Sequence, residues 1–135
     1  YNMYFNEDVD WDGDEADVEN GTEIAVGVEF ALSESLLLSG GYLIATSGAL
    51  EAYQTDLSYS LNSNTIGLGA KYSLNPQLAV TLGFSNTTYE EGSKSGVIYA
   101  ADVDLTTGTV TPTLTGDETY MKTATVIAVG LQKSF

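Results

Sequence analysis

Apolar residues alternate with small or polar ones, at a period of two, along five stretches of the chain. From Ile24 the even positions are Ile24, Val26, Val28, Phe30 and Leu32, against Glu23, Ala25, Gly27, Glu29 and Ala31 at the odd ones. Leu36, Leu38, Gly40, Tyr42 and Ile44 stand against Leu37, Ser39, Gly41, Leu43 and Ala45 in the same way. The cleanest split sets Ile66, Leu68, Ala70, Tyr72 and Leu74 against Thr65, Gly67, Gly69, Lys71 and Ser73. Leu78, Val80, Leu82 and Phe84 oppose Ala79, Thr81, Gly83 and Ser85, and Thr125, Ile127, Val129, Leu131, Lys133 and Phe135 oppose Val126, Ala128, Gly130, Gln132 and Ser134. A β-strand turns successive side chains to opposite faces, so each stretch reads as a strand. The pattern predicts strands at about 22–32, 36–46, 64–74, 77–89 and 119–135, with a shorter one at 1–6.

The connections fall into two classes. Ser33-Glu34-Ser35 and Asn75-Pro76 are tight turns, while 7–21, 47–63 and 90–118 are long and polar. Short turns at one end and long loops at the other fit an antiparallel transmembrane β-barrel of the outer-membrane type, with the long loops extracellular. About 9 to 11 tilted residues cross a bilayer, which matches the alternating stretches. On this reading Val26, Val28, Leu68, Val80, Leu82, Ile127 and Val129 face lipid, and the Gly, Ala, Ser and Thr positions look inward. Tyr42, Tyr72, Tyr89, Tyr120 and Trp11 suit interfacial girdles.

Charge sharpens this picture. The chain of 135 residues carries 19 acids, four bases and a net charge of −15, yet is 43% hydrophobic. The three long connections hold sixteen of the acids and one base, Lys94, and so account for the whole net charge. The remainder, Glu23, Glu29 and Glu34 against Lys71, Lys122 and Lys133, balances to zero. A strand scaffold purged of net charge is expected where an unpaired lipid-facing charge costs about 2–4 kcal/mol. Four bases are too few for phosphate neutralisation, so nucleic acid is not an expected partner. The absence of Cys and His removes thiol nucleophiles, N/S zinc sites and His-based catalytic pairs. With no phosphate-binding loop and no enclosed carboxylate pair either, no enzymatic activity is expected. The chain opens Tyr1-Asn2-Met3 without a signal-peptide pattern, and its beginning reads as internal or processed.

Several residues are candidates for chemistry. Asp8, Asp10, Asp12, Gly13 and Glu19, with Asp14 between them, meet the Ca²⁺-loop pattern D-x-[DN]-x-[DN]-G-x5-E. A solvated acidic loop is the other reading, because the flanks read as strands and Glu15 stands where an EF-hand has an apolar residue. Leu50, Tyr53, Leu57, Tyr59 and Leu61 lie in the least acidic long connection and are the candidate apolar contacts of a substrate path. Glu23, Glu29 and Lys71 fall on the inward face, either as structural lumen charges or along that path. Val129, Leu131 and Phe135 make the chain end look like the terminal strand by which barrel-assembly machinery recognises its clients.

The stretches Ile24–Ser33 and Leu36–Tyr42, then Tyr53–Leu61 and Asn64–Tyr72, together with the terminal strand, resemble the C-terminal part of the FadL/TodX-like outer-membrane transport family. The resemblance implies a 14-stranded barrel, plugged by an N-terminal hatch, that passes long-chain fatty acids or other hydrophobic molecules without an energy source. Six strands are too few to close a spanning barrel, so the expectation is an all-β C-terminal portion of a longer one. Its expected partners are membrane lipids and lipopolysaccharide, the assembly machinery and a hydrophobic small molecule. The alternatives are a structural or adhesive barrel whose acidic loops bind Ca²⁺, and a soluble β-sandwich.

Overall fold

The computed structural model describes every residue except Trp11, Asp14 and Phe135, and of Glu15 the backbone alone. Eight strands follow one another: β1 (Asn2–Tyr4), β2 (Gly21–Ala31), β3 (Leu36–Thr46), β4 (Ser63–Asn75), β5 (Leu78–Tyr89), β6 (Gly92–Asp104), β7 (Thr109–Tyr120) and β8 (Thr123–Lys133). All pairings are antiparallel. Six strands form one open sheet in the order β1-β2-β3-β4-β5-β8, and β6 and β7 form a separate hairpin. The four central strands lie where alternation places them, to within a residue or two.

Three expectations are corrected. The segment 90–118 is not a loop: most of it is the β6–β7 hairpin, inserted between neighbouring strands of the sheet. The last strand accordingly starts at Thr123 rather than 119, and the first spans three residues rather than six. The hairpin escapes a period-two reading of β6 because its register shifts three times, between Lys94/Val97, Ile98/Ala100 and Ala100/Ala101. Each extra residue reverses which face the next side chain joins.

Turn chemistry closes the tight ends. The Ser33 hydroxyl accepts the Leu36 N–H at 3.1 Å, and the Asn75 side chain accepts the Gln77 N–H at 2.9 Å. At the hairpin tip Asp104 accepts from the N–H groups of Thr106 and Thr107, and Gly108 supplies the positive φ that lets the chain return.

The register aligns side chains in rows across the sheet. One face carries the row Val28, Gly40, Leu68, Phe84, Ile127 and beside it Phe30, Leu38, Ala70, Leu82, Val129. The other carries Gly27, Gly41, Gly67, Ser85, Val126 and then Glu29, Ser39, Gly69, Gly83, Ala128. Neither face is covered. Val28 is 75% exposed, Ile127 77% and Val129 74%, whereas the buried apolar residues among those described are Val18, Ala79 and Tyr120. A water-soluble domain of this length buries roughly two thirds of its surface around one core. Here the largest apolar surface lies open, and what burial there is sits at the two ends of the sheet.

Candidate functional site

The long connections dock on one another at one end of the sheet. Val18 bridges Ala49, the Glu19 N–H donates to the Gly48 carbonyl at 2.6 Å, and the Leu50 N–H donates to the Asp17 carbonyl at 3.0 Å. Gly48 has φ of +75°, and a Cβ there would run into the Glu19 carbonyl, so the close crossing requires glycine. The Asn6 amide donates to the carbonyls of both Glu19 and Ser47, joining the first connection to the second.

Residues 47–62 form a strap held by the base of the hairpin. Gln54 is 4% exposed, and its side chain is held by Ser60: its amide donates to the Ser60 carbonyl and its oxygen accepts the Ser60 N–H, both at 2.9 Å. Lys94 Nζ reaches from β6 to the carbonyls of Ala52 at 2.6 Å and Gln54 at 2.8 Å. The Ser95 N–H donates to Glu51 at 2.7 Å. The Tyr59 ring stacks on Tyr120, and Gly92 leaves the space that Leu61 fills. Glu118 accepts from the hydroxyls of Tyr99, at 3.0 Å, and Tyr120. The hydrogen bond to Glu118, then burial, pushes the Tyr120 hydroxyl up to about 12. Burial first, then Glu118, raises that of Tyr99.

The residues singled out by sequence are distributed as follows. Of the acidic pattern, the Asp10 carboxylate accepts the Asp12 N–H at 3.1 Å, and Asp14 lies outside the described residues. Among the described residues no three carboxylates, Asp8 and Glu19 included, are gathered as a metal site. Tyr59 and Leu61 are drawn into the contact with the hairpin, Leu50 precedes the strap's short 3₁₀ turn and Tyr53 ends it, and Leu57 is 94% exposed at its far bend. Glu23, at the loop end of the small-residue face, accepts from Tyr4 at 2.8 Å and Asn2 at 3.3 Å. Lys71, toward the turn end, donates to Gln132 at 2.8 Å, and the register sets it two strands from Glu29. Val129 and Leu131 project from the apolar face, while Phe135 lies outside the described residues.

Sequence reading missed the hairpin's contribution: Lys94, Tyr99, Glu118 and the apolar positions of β7. A signal for β7 exists, since Thr109, Thr111, Thr113 and Thr115 alternate with Val110, Pro112, Leu114 and Gly116. Between the hairpin and the turn end, the glycines of β2, β3, β4 and β5 leave an open trough of about 580 Å³ on the small-residue face, edged by Glu29, Ser39 and Ser85. Side chains without reach cannot fill that space, so a flexible apolar molecule could lie along it with the backbone in contact. No protein-family model, curated protein or solved structure matches the chain.

Proposed function

We propose that this chain is part of the wall of a β-barrel in a bacterial outer membrane, and that the barrel passes hydrophobic compounds without an energy source. The observation that carries the reading is the uncovered apolar face. Its central rows, from Val26 and Tyr42 to Val80 and Leu131, hold no charge, although the chain carries −15. In water such a surface is unfavourable at about 25 cal/mol per Å², and in hydrocarbon it is at home. Strands of 11 to 13 residues in β2, β3, β4, β5 and β8 are long enough for a tilted crossing. Tyr42 and Tyr72 stand toward opposite ends of the face, where headgroup-level rings belong. In lipid the free edges of β1 and β8 would leave backbone groups unsatisfied, so the wall needs further strands to close.

Passage of a hydrophobic compound is supported by the trough on the opposite face and by the resemblance to FadL/TodX-like proteins. The test is to express the full-length protein in a Gram-negative host, compare its gel migration with and without boiling, and follow uptake of a labelled hydrophobic compound. Heat-dependent migration, outer-membrane fractionation and uptake above the empty host are expected. A protein that fractionates with soluble material, with no heat-dependent migration, sinks the reading.

A structural or adhesive barrel is the second reading. It is favoured by the hairpin, whose strands of 13 and 12 residues reach roughly 40 Å and whose tip residue Leu105 is 93% exposed. Normal insertion with no uptake of any hydrophobic compound would select it.

A further inference from the structure

The apolar face turns polar along a slanted line. Toward the loop end its last large apolar side chains are Ile24 in β2, Ile44 in β3, Ile66 in β4, Phe84 in β5 and Ile127 in β8, all exposed. The next position on that face is Thr22, Thr46, Asn64, Asn86 and Thr125 respectively. Thr22 and Thr46 share a row, whereas Asn64 is level with Ile44, one row nearer the turns. Asn86 and Thr125 share the row of Val26, Tyr42 and Ile66, two rows nearer.

The turn-end limit moves the same way. Leu32 and Leu36 close the belt at the β2–β3 turn, and Leu74, one row further on, closes it in β4. Five positions lie between the two limits on each of these three strands, so the belt is displaced and not narrowed. On β5 it runs to the turn at Leu78, and on β8 to Leu131, past which the stem of Lys133 is long enough to carry its ammonium toward the interface.

A displacement of about one residue per strand advances about 3.4 Å along the strands for every 4.8 Å or so across them, which inclines the boundary by about 35° to the rows. Strands of spanning barrels tilt from the membrane normal by about 35–45°. Were the rows parallel to the membrane, Asn86 and Thr125 would lie at the depth of Val26, in hydrocarbon, where polar groups are costly. With the inclination all five polar positions come to one level. Hydrogen bonds run along that line: the Thr22 and Thr46 hydroxyls are 2.7 Å apart, and the Asn86 amide donates to Thr125 at 2.9 Å. The Tyr42 hydroxyl reaches from within the belt to Asn64 at 2.9 Å, as an interfacial aromatic would. None of the five is charged, although the long connections hold sixteen acids. Hydroxyls and amides can exchange hydrogen bonds with phosphate, glycerol or sugar oxygens without the repulsion that a carboxylate would bring.

Resting on the reading of this chain as barrel wall, we propose that Thr22, Thr46, Asn64, Asn86 and Thr125 are the line along which the wall meets the lipid headgroups of the outer leaflet, and that β2 to β5 and β8 cross the membrane inclined by about 35°. The test places single nitroxide labels through Thr46→Cys, Asn86→Cys and Val26→Cys in the full-length protein, refolded in phosphatidylcholine bilayers; the chain itself contains no Cys. Depth is read from relaxation by oxygen against relaxation by a water-soluble nickel complex, and heat-dependent migration checks insertion. The labels at 46 and 86 are expected at one depth, level with the headgroups, and the label at 26 about 11 Å deeper. Equal depth at 86 and 26 overturns the inclined boundary and leaves the wall reading standing. Labels at 46 and 86 shielded from both reagents overturn the headgroup partner, and full exposure of all three to nickel overturns the wall reading itself. Arginine in the same row gives a label-free check in bilayer folding titrations. Val26→Arg is expected to lower the folding equilibrium constant about thirty-fold or more, and Thr125→Arg less than about five-fold. Equal falls overturn the inclination.

Discussion

The Tyr120 hydroxyl donates to Glu118 on its own strand while its ring stacks on Tyr59 of the strap, centroids 5.3 Å apart and planes inclined by 27°. One side chain therefore ties a carboxylate of the hairpin to an aromatic of another connection, and it is among the most buried in the chain. Losing its proton would place a phenolate beside Glu118, near Asp56 as well.

That arrangement makes the strap sensitive to alkali. Because the folded-state pKa of Tyr120 is pushed up to about 12, above the ordinary value of 10, the folded state holds the proton more tightly than the open one. Its stabilisation is complete below pH 10 and is lost as pH rises toward 12. Limited proteolysis within 47–62 should accelerate across that window, and Tyr120→Phe should flatten the response while leaving the strap weaker at neutral pH.

Lys94→Met should loosen the same strap without disturbing the sheet. The change removes donors to two carbonyls at the end of a short 3₁₀ turn and retains most of the stem. Charge-assisted hydrogen bonds of this sort lead us to expect about ten-fold faster cleavage in 47–62, with β2 to β5 equally protected from hydrogen exchange.

Gly48→Ala tests the crossing between the first two connections. The positive φ and the approach to the Glu19 carbonyl both oppose a Cβ, and strain of this type costs about 1–3 kcal/mol. Earlier release of the region around Val18 and Ala49 in a urea titration, detected by hydrogen exchange, is the expected result.

Neighbouring substitutions in β4 should give opposite results. Leu68 projects from the apolar face at 58% exposure, whereas a Cβ on Gly67 meets nothing within 4 Å. If the apolar face meets lipid, Leu68→Arg should cost about 2–4 kcal/mol in bilayer folding titrations. Gly67→Ser should be tolerated. Equal tolerance at both positions would contradict the lipid assignment.

How much of this could be read from sequence depended on whether the period of two ran unbroken. In β4 it runs from Thr65 to Ser73 without interruption, and the strand, its faces and its hairpin partner follow from it up to the register shift between Ser73 and Asn75. In β6 the extra residues around Gly96 and Tyr99 break the phase, and acids at Asp102 and Asp104 gave the segment the composition of a loop. The strap's packing was not legible: Tyr59 and Leu61 read as contacts of a substrate path, and the structure packs both against the hairpin. Lys94 as a ligand of backbone carbonyls carries no sequence signal, since nothing local relates it to residues some forty positions earlier. Gln54 was invisible for a similar reason, because its burial depends on the strap folding back on Ser60.

The free edge of β8 is a template with a readable code. Eleven residues, Thr123–Lys133, pair on one side with β5, and on the other side they form an edge of the six-stranded sheet. An incoming strand matched to both faces must set apolar residues level with Ile127, Val129 and Leu131, and small or polar ones level with Ala128, Gly130 and Gln132. A shift by one residue would exchange the two sets. The phase of any strand added to this edge is thus set by the alternation of β8 itself.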